Sequence, residues 1–473
     1  MNNFDEKQNN FAVQLKRGDE VVFNSNLKQQ EKEDIGSITQ GKVCSELTDY
    51  YLNLGIFKVI NDSLYMYNHS LGYLIKLKEG REAVKLINLI KDKRRKNRIA
   101  SKTIEEVIKR LKNIEEINLE YEEVNANPQY INCKNGVVDI LSGELMTHDI
   151  KHKFTYCINA EYISSKEIRW NETEKFFNTS LEANQTKVQL LMEVIGYLIS
   201  DYNNAKKAFI FLGKPHSGKS LLTKIISKLV GCENISNIPF HKLGDRFSNA
   251  ELSINKLNIN AELDSTPIRK ISNFKAIVGN DYLSAEFKGK PLFSFKSKTK
   301  LLFCGNYMPE IKDIESTEAF LDRLVFLMFN RSTPKEEMDY CLEEKLMKEI
   351  DLIFTVAIWR LKTLVLNNFQ FTMPKDSKEF LNEYSNRQNH IQEFISEACI
   401  LESNAKIHTK DLYNIYLKFC NENCISPYNL IKFNEYIATI DGVDRSRFRI
   451  NGKNLRGFMG VSIKNFMVDG TEQ

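Results

Sequence analysis

Between residues 205 and 335 the chain alternates short apolar runs with helical stretches. Apolar runs of strand length span residues 208–212, 301–305 and 324–329, and a further strand-like segment spans residues 256–262. Continuous apolar runs of this length are typical of strands buried on both faces of a parallel sheet. The pattern therefore predicts an α/β domain with a parallel sheet, which we assign to residues 205–370.

The residues before this domain show a more mixed pattern. Residues 1–40 are polar, and the rest of a first region, residues 1–112, combines helical periods with strand-like pieces. This mixture predicts an α+β unit, for which a winged helix is one option. A second region, residues 113–204, contains Asn135-Gly136 between apolar runs, which is a hairpin signal. It ends in a helical stretch at residues 172–203 that leads into the α/β domain.

The tail, residues 371–473, predicts a small domain with a basic strand. Helical patterns around residues 391–420 and 430–440 are followed by arginines at every second position. Alternate residues of a strand share one face, so the basic side chains form a ribbon: Arg445, Arg447, Arg449, Lys453 and Arg456. Three helices and a basic ribbon favour a winged-helix domain that binds DNA; a protein-docking domain with a solvated basic strand is the alternative.

Composition narrows the class of protein without identifying it. The 473 residues are 42% hydrophobic and 27% charged, with a net charge of +4, which is typical of soluble globular proteins and does not by itself indicate nucleic acid. No apolar stretch is long enough to cross a membrane. Nine scattered cysteines favour a reducing cytoplasm with free thiols. The basic run at residues 91–102 is either a DNA contact or a solvated helix face.

The first strand of the α/β domain leads into a phosphate-binding motif. Residues 213–220 fit G-x-x-x-x-G-K-[ST] between a strand and a helix, which is the context that the motif requires. Gly213 and Gly218 allow the backbone to wrap around phosphate oxygens, and Ser217 lies within the loop. Lys219 places a positive charge against the phosphates, and Ser220 offers a hydroxyl to Mg²⁺. The motif predicts binding of ATP with Mg²⁺.

Further candidate residues follow the later strands. Glu262, at the end of the strand-like segment 256–262, is the candidate acid that binds Mg²⁺ and polarises water, with Asp264 as the alternative. Asn306 follows the third apolar run, where an amide can contact the γ-phosphate or the attacking water. Arg323 precedes the fourth run, and an arginine at a subunit edge can stabilise charge on a neighbour's ATP; a surface ion pair is its alternative role.

Residues 285–293 read as a hairpin between the second and third strands. Lys288 and Lys290 flank Gly289 at its tip. Two lysines on a protruding tip can hold a DNA backbone, whereas in isolation they would be a solvated turn.

These motifs, in this order, resemble those of the superfamily 3 helicases, and most closely the phage- and plasmid-type primase-helicases related to the poxvirus primase-helicase. Similarity extends over most of residues 45–465, and the layout resembles replication initiator helicases of phage-inducible chromosomal islands. Pro215 and Ser217 stand where the family often has glycine and asparagine. The residues that carry the resemblance are the phosphate loop, Glu262, Lys275, Gly279-Asn280-Asp281, Lys288, Phe295, Asn306-Tyr307-Met308-Pro309, Arg323, Asn135-Gly136-Val137-Val138-Asp139 and Ser142-Gly143.

The resemblance implies an AAA+ core flanked by the N-terminal α+β region and the C-terminal winged-helix domain. It also implies a hexameric ring that moves 3′ to 5′ on single-stranded or forked DNA, and it assigns Glu262 as the Walker B acid, Asn306 as the sensor, Arg323 as the arginine finger, and Lys288 and Lys290 as the DNA hairpin. We expect a replication initiator of a mobile element acting on origin DNA. Because too few residues precede the 132–140 region for a primase domain, we expect no primase activity.

Two other functions remain open from the sequence. The first is a DNA-binding ATPase switch or remodeller that does not unwind. The second is a DNA-binding repressor with an inactive nucleotide domain, against which the intact set Lys219, Ser220, Glu262 and Arg323 argues.

Overall fold

The computed structural model describes residues 40–464, apart from residues 92–95, 97–98, 166–168, 269–270, 312–316, 389, 424, 426 and 451. Residues 1–39 and most of the central part of the 91–102 basic run therefore lie outside the described residues. In the described part of the chain, no helix is both long and apolar enough to cross a membrane.

The first unit combines helices with a small sheet, as the mixed sequence pattern predicts. Strand β1 pairs antiparallel with β2 and parallel with β4, which gives the sheet order β3-β2-β1-β4. Its core is formed by buried residues from the helices and from the inner face of the sheet. The elements are α1 (Gln40–Asn53), β1 (Phe57–Ile60), β2 (Ser63–Asn68), β3 (Tyr73–Lys76), α2 (Glu82–Leu89), α3 (Ser101–Lys112) and β4 (Asn118–Leu119).

The second unit begins with the predicted hairpin and ends in two helices. Strands β5 (Tyr130–Cys133) and β6 (Gly136–Asp139) pair antiparallel, and β7 (Leu145–Met146) extends the sheet. The stretch predicted as helical is two helices, α4 (Glu172–Ser180) and α5 (Gln185–Ile199), because Glu182 and Ala183 adopt positive φ between them.

A five-stranded parallel sheet forms the centre of the third unit, so the predicted α/β domain is confirmed. Its order is β14-β8-β13-β10-β9, and the four longer strands are almost entirely buried. The elements are β8 (Ala208–Gly213), α6 (Lys219–Val230), β9 (Ile235–Ser236), α7 (Arg246–Leu252), β10 (Leu257–Asn260), α8 (Ile271–Gly279), β11 (Tyr282–Ala285), β12 (Phe293–Lys296), β13 (Lys300–Gly305), α9 (Thr317–Leu321) and β14 (Leu324–Phe329).

The helices after the sheet return to pack on the second unit. Helix α10 (Leu342–Lys348) leads into α11 (Ile350–Leu366), which packs along α5, and α12 (Lys375–Gln388) follows. At the crossing a Cβ on Gly196 would lie 2.4 Å from the carbonyl oxygen of Ala357. This close approach joins α5, α11 and one face of the parallel sheet in one continuous core.

The tail has the three predicted helices and an additional strand. Helix α13 (His390–Ala398) leads into β15 (Cys399–His408), α14 (Thr409–Glu422), α15 (Leu430–Ile437), β16 (Asp444–Ile450) and β17 (Lys453–Ile463). The sheet order is β15-β17-β16, all antiparallel. Strand β15 was not predicted, because its middle residues are polar and exposed, so no period-2 pattern marks it.

Candidate functional site

The phosphate-binding motif adopts a strand–loop–helix geometry. Strand β8 ends at Gly213, the loop turns through residues 214–218, and α6 begins at Lys219. Gly213, His216 and Gly218 have φ values of +147°, +57° and +95°, which favour glycine at the first and last positions. Helix α6 therefore begins directly at the loop. The first N–H groups of a helix have no partner within the helix, so a helix start attracts anions.

The loop is held by the end of β14 and by the segment that follows it. Lys214 N–H donates to the carbonyl of Phe329 (3.0 Å), and Thr333 N–H donates to the carbonyl of His216 (3.0 Å). The approach at Gly213 is so close that a Cβ there would lie 1.9 Å from the oxygen of Phe329. The glycine is therefore required by packing against β14 as well as by its φ angle.

Lys219 folds back on its own loop. Its ammonium donates to the carbonyls of Gly213 (2.7 Å) and Lys214 (2.6 Å) and to the hydroxyl of Ser217 (3.1 Å). Burial lowers the pKa of Lys219, because removing the ammonium from water disfavours its charged form. Ser220, on the first turn of α6, is exposed beside it.

The candidate acid lies at the same edge of the sheet as the loop. Residue pairing places the end of β10 beside that of β13, and Leu263 N–H donates to the carbonyl of Cys304 (2.7 Å). Strand β10 is not the direct neighbour of β8, because β13 lies between them. Glu262 is exposed, two residues beyond β10.

The alternative acid is engaged elsewhere. The carboxylate of Asp264 lies 2.9 Å from Nδ1 of His241 and accepts from the backbone N–H of Thr266 (2.9 Å). These hydrogen bonds lower the pKa of Asp264 against the opposing effect of burial. Glu262 therefore remains the better candidate for a free carboxylate at this edge.

Asn306 follows β13 directly and is exposed at the loop edge. In the parallel register Gly305 lies beside Leu212 of β8. The amide of Asn306 is thereby placed level with the start of the phosphate loop.

Arg323 lies at the opposite edge of the sheet. It immediately precedes β14, whose first residue pairs with Ala208 and whose last residue pairs with Gly213. A six-residue strand spans about 20 Å at roughly 3.3 Å per residue, so Arg323 cannot reach the phosphate loop of its own chain. Its Nη1 donates to the carbonyl of Ala319, and its buried Nε has no hydrogen-bond partner among the described residues.

Lys207 lies near Arg323 at this edge and is not among the residues predicted from the sequence. Its ammonium donates to the carbonyl of Asp322. Burial lowers the pKa of Lys207, and the neighbouring Arg323 lowers it further. The sequence signal that could have identified Lys207 is its position directly before the apolar run 208–212.

Two further lysines lie buried at the same edge. Lys256 pairs with Asp201 (2.5 Å), and Lys300 donates to the amide oxygen of Asn203 (2.5 Å). Burial, together with the charge of Lys256, lowers the pKa of Lys300 to about 7. Lys256 directly precedes β10, and Lys300 is the first residue of β13. The sequence shows these positions but does not show that both side chains are buried.

The predicted hairpin is present, formed by β11 and β12. Lys288 and Lys290 are exposed at the tip around Gly289, whose φ is +77°. Phe287 stacks on Phe293 with ring centres 5.5 Å apart. Strand β12 ends four residues before β13 begins, so the base of the hairpin lies near the beginning of β13, and beyond β11 the N–H of Glu286 donates to the carbonyl of Arg246 on α7 (3.1 Å).

The basic ribbon of the tail is also present, formed by β16 and β17. Arg445, Arg447 and Arg449 are all exposed, whereas the residues between them are half-buried. Arg447 pairs directly with the exposed Arg456 across the two strands. Like charges at directly opposite positions are destabilising unless an anion lies between them. Lys453 begins β17, and its side chain lies outside the described residues.

Two family profiles match parts of the chain. Residues 60–182 match the family described as "D5 N terminal like", and residues 211–323 match a "Family of unknown function (DUF5906)". No curated protein matches the chain. The first match supports a relationship with replication proteins of the primase-helicase kind.

Solved structures of the C-terminal region of NrS-1 are similar over most of the chain. An apo structure of this region has 13% identity and a TM-score of 0.51, and a second, the A form, has 12% identity and a TM-score of 0.49. In both cases 88% of this chain and 98% of the other are covered. At this identity the first similarity shows a shared fold.

The second matched range coincides with the candidate site. It begins within β8 and ends at Arg323, so it includes Lys219, Glu262, Asn306 and the hairpin. The range that this family profile matches therefore includes residues at both edges of the sheet.

Other sequence features have structural roles. His148 contacts the side chain of Asn132 (3.0 Å), and Cys424 lies outside the described residues. Among the described residues, no group of three or more His, Cys, Asp or Glu side chains could hold a metal.

Proposed function

We propose that this protein is an ATP-dependent DNA helicase with an AAA+ core of superfamily 3. The observation that carries the proposal is the division of polar residues between the two edges of one parallel sheet. The phosphate loop, Glu262 and Asn306 lie at one edge, and Arg323 and the base of the lysine hairpin lie at the other.

The loop edge has the donor set that Mg-ATP requires. Lys219 and the N–H groups at the start of α6 would hold the phosphates, while Ser220 and Glu262 would hold Mg²⁺. The metal would neutralise negative charge that develops on the phosphates. Glu262 would orient water, and Asn306 would contact the terminal phosphate.

Arg323 requires a second copy of the chain to act. Because it is about 20 Å along β14 from its own loop, its guanidinium can contact only another subunit's nucleotide. Repetition of that contact around an axis closes a ring, which supports the homo-oligomer, a hexamer, that the sequence resemblance implies. Lys207 beside it adds a second positive charge at the same interface.

The hairpin and the ribbon supply two DNA contacts of different kinds. In a ring, the tip lysines Lys288 and Lys290 would hold the phosphates of one strand and move 3′ to 5′ with ATP hydrolysis. The tail, as a winged-helix domain, would position duplex or origin DNA through the ribbon arginines. Opposed Arg447 and Arg456 favour a phosphate between them.

The proposal keeps the division of the chain that the sequence predicts. In it, 1–112 is the N-terminal region with the α+β unit, 113–204 the pre-helicase region, 205–370 the motor, and 371–473 the DNA-binding tail. The proposed task is initiation of replication of a mobile genetic element in the cytoplasm.

The test is strand displacement on a forked duplex with ATP and Mg²⁺. We expect the wild type to separate the strands and Lys219→Ala to lose both unwinding and ATP hydrolysis, because the phosphates lose their main positive charge. Lys228→Ala, an exposed lysine on the same helix, is the matched control and should remain active. Hydrolysis by the wild type without strand separation would favour a switch or remodeller instead.

A further inference from the structure

A cavity of about 380 Å³ lies beside the phosphate loop. Helix α4, the start of α6 and the segment at residues 333–342 form its walls. His216 and Gly218 of the loop also line it, so the cavity opens directly onto the residues proposed to hold the phosphates. The side chains that matter most are Phe176, Thr179, Leu221, Thr333, Met338 and Tyr340.

The cavity has apolar walls with hydroxyl groups among them, and charged side chains complete its lining. Phe176 is buried, and Leu221 and Met338 are half-buried. Thr179 and Thr333 offer hydroxyl groups from opposite sides. Ligand sites of this kind bind a flat, mostly apolar group and orient it with a few polar contacts.

The carboxylates around the rim are already paired with cations. Asp339 lies 2.6 Å from Lys345, Glu172 lies 2.7 Å from Lys175, and Glu337 lies 3.0 Å from Arg331. Six charges thus form three neutral pairs. The cavity is therefore suited to an uncharged group rather than to a second phosphate or a cation.

Tyr340 lies at the mouth of this cavity with 89% of its surface exposed. It occupies the turn before α10. An aromatic side chain is rarely so exposed without a partner, because stacking on another flat ring removes apolar surface from water.

We infer that this cavity holds the base of ATP and that the Tyr340 ring stacks on it. The inference rests on the proposed function, since the loop must hold the phosphates for the base to lie here. It gives α4, which belongs to the pre-helicase region, a direct contact with the nucleotide.

The experiment compares two probes by calorimetry on the full chain, Mg-ATP and inorganic tripolyphosphate with Mg²⁺. Only the first has a base. Tyr340→Ala should weaken ATP binding on the order of tenfold, the size of one stacking contact, and should leave tripolyphosphate binding within about twofold. Tyr340→Phe should retain the ATP affinity, because the ring remains.

Two further variants sharpen the comparison. Thr179→Trp should fill the cavity and weaken ATP binding more than Tyr340→Ala does, again without loss of tripolyphosphate. Phe247→Ala removes another exposed aromatic ring, on α7, and should leave the binding of both probes unchanged.

Three results would overturn the inference. Unchanged ATP affinity in Tyr340→Ala and Thr179→Trp would place the base elsewhere and leave the proposed motor intact. An equal loss of both probes would mean that these residues act through the loop. If the wild type bound neither probe, the proposed function itself would fail.

Discussion

The two edges of the parallel sheet differ in what they carry. At the ends of the strands lie exposed polar residues on tight turns: the phosphate loop, Glu262 and Asn306. At the beginnings lie cations, some of them buried, namely Lys207, Lys256, Lys300 and Arg323. The first edge has groups that can contact an anion. At the second edge Lys207 and Arg323 are half-buried, whereas Lys300 is buried and Lys256 is paired with Asp201. In the proposed function, one chain would hold half of a site and its neighbour would complete it.

The largest expected effect concerns the edge at the beginnings of the strands, where Arg323 lies. Arg323→Ala should reduce ATP hydrolysis by roughly 10³-fold, the usual loss for an arginine that stabilises transition-state charge, while nucleotide binding to the loop persists. Hydrolysis and binding are measured in parallel on the same preparation. Arg360→Ala, an exposed arginine on α11, is the control.

Mixing the variants distinguishes the two edges directly. Lys219→Ala and Arg323→Ala damage opposite halves of a shared site, so mixed rings contain some interfaces with both intact residues. We expect the mixture to regain part of the hydrolysis that each variant lacks alone. No recovery at any ratio would contradict a site formed between copies.

The hairpin lysines should produce a smaller, selective effect. Lys288→Ala combined with Lys290→Ala removes two phosphate contacts from the tip, so strand displacement should be lost while DNA-free ATP hydrolysis stays within about twofold. The slope of single-strand affinity against salt should fall by ~1.4, or about 0.7 per lost contact. Lys335→Ala with Lys348→Ala serves as the double control, and retained unwinding would exclude the hairpin as the moving contact.

The smallest effect is on stability and comes from buried Lys300. Its pKa is about 7 in the folded chain against an ordinary 10.5. Between these values the unfolded chain binds a proton that the folded chain does not, so the free energy of unfolding should rise with pH across this window. Below pH 7 both states are protonated and the cost of the buried charge is fully present.

Lys300→Met should make that rise smaller, as measured by the urea midpoint at pH 6.5 and pH 9.5. Part of the rise in the free energy of unfolding should remain in this variant, because burial also lowers the pKa values of Lys256 and Lys298. Lys228→Met should retain the full rise. An identical pH dependence in Lys300→Met and wild type would show that Lys300 stays charged.

Local sequence patterns predicted the elements whose geometry depends on neighbours in sequence. The strand–loop–helix around Lys219, the hairpin at Gly289 and the alternating arginines of β16 are of this kind. Each is defined by a run of a few residues with characteristic turn or periodic chemistry. The α/β character followed from strands long and apolar enough to be buried on both faces.

Features that depend on distant pairing could not be predicted. Placement of β13 between β8 and β10 is a choice of topology, and nothing within residues 256–262 encodes it. The same applies to the cavity beside the loop, whose walls come from α4, α6 and residues 333–342. Burial of Lys300 beside Asn203 joins residues 97 positions apart.

The contacts of Lys219 have a consequence for selectivity among anions. Its ammonium already donates to three oxygen atoms of its own loop, so an arriving anion replaces partners instead of adding them. The net gain from any single exchange is small. A monovalent ion such as chloride then gains little from entering the loop, whereas a chain of linked phosphates repeats the exchange at several positions. In the proposed phosphate site, this exchange would favour a ligand with several linked phosphates over a monovalent ion.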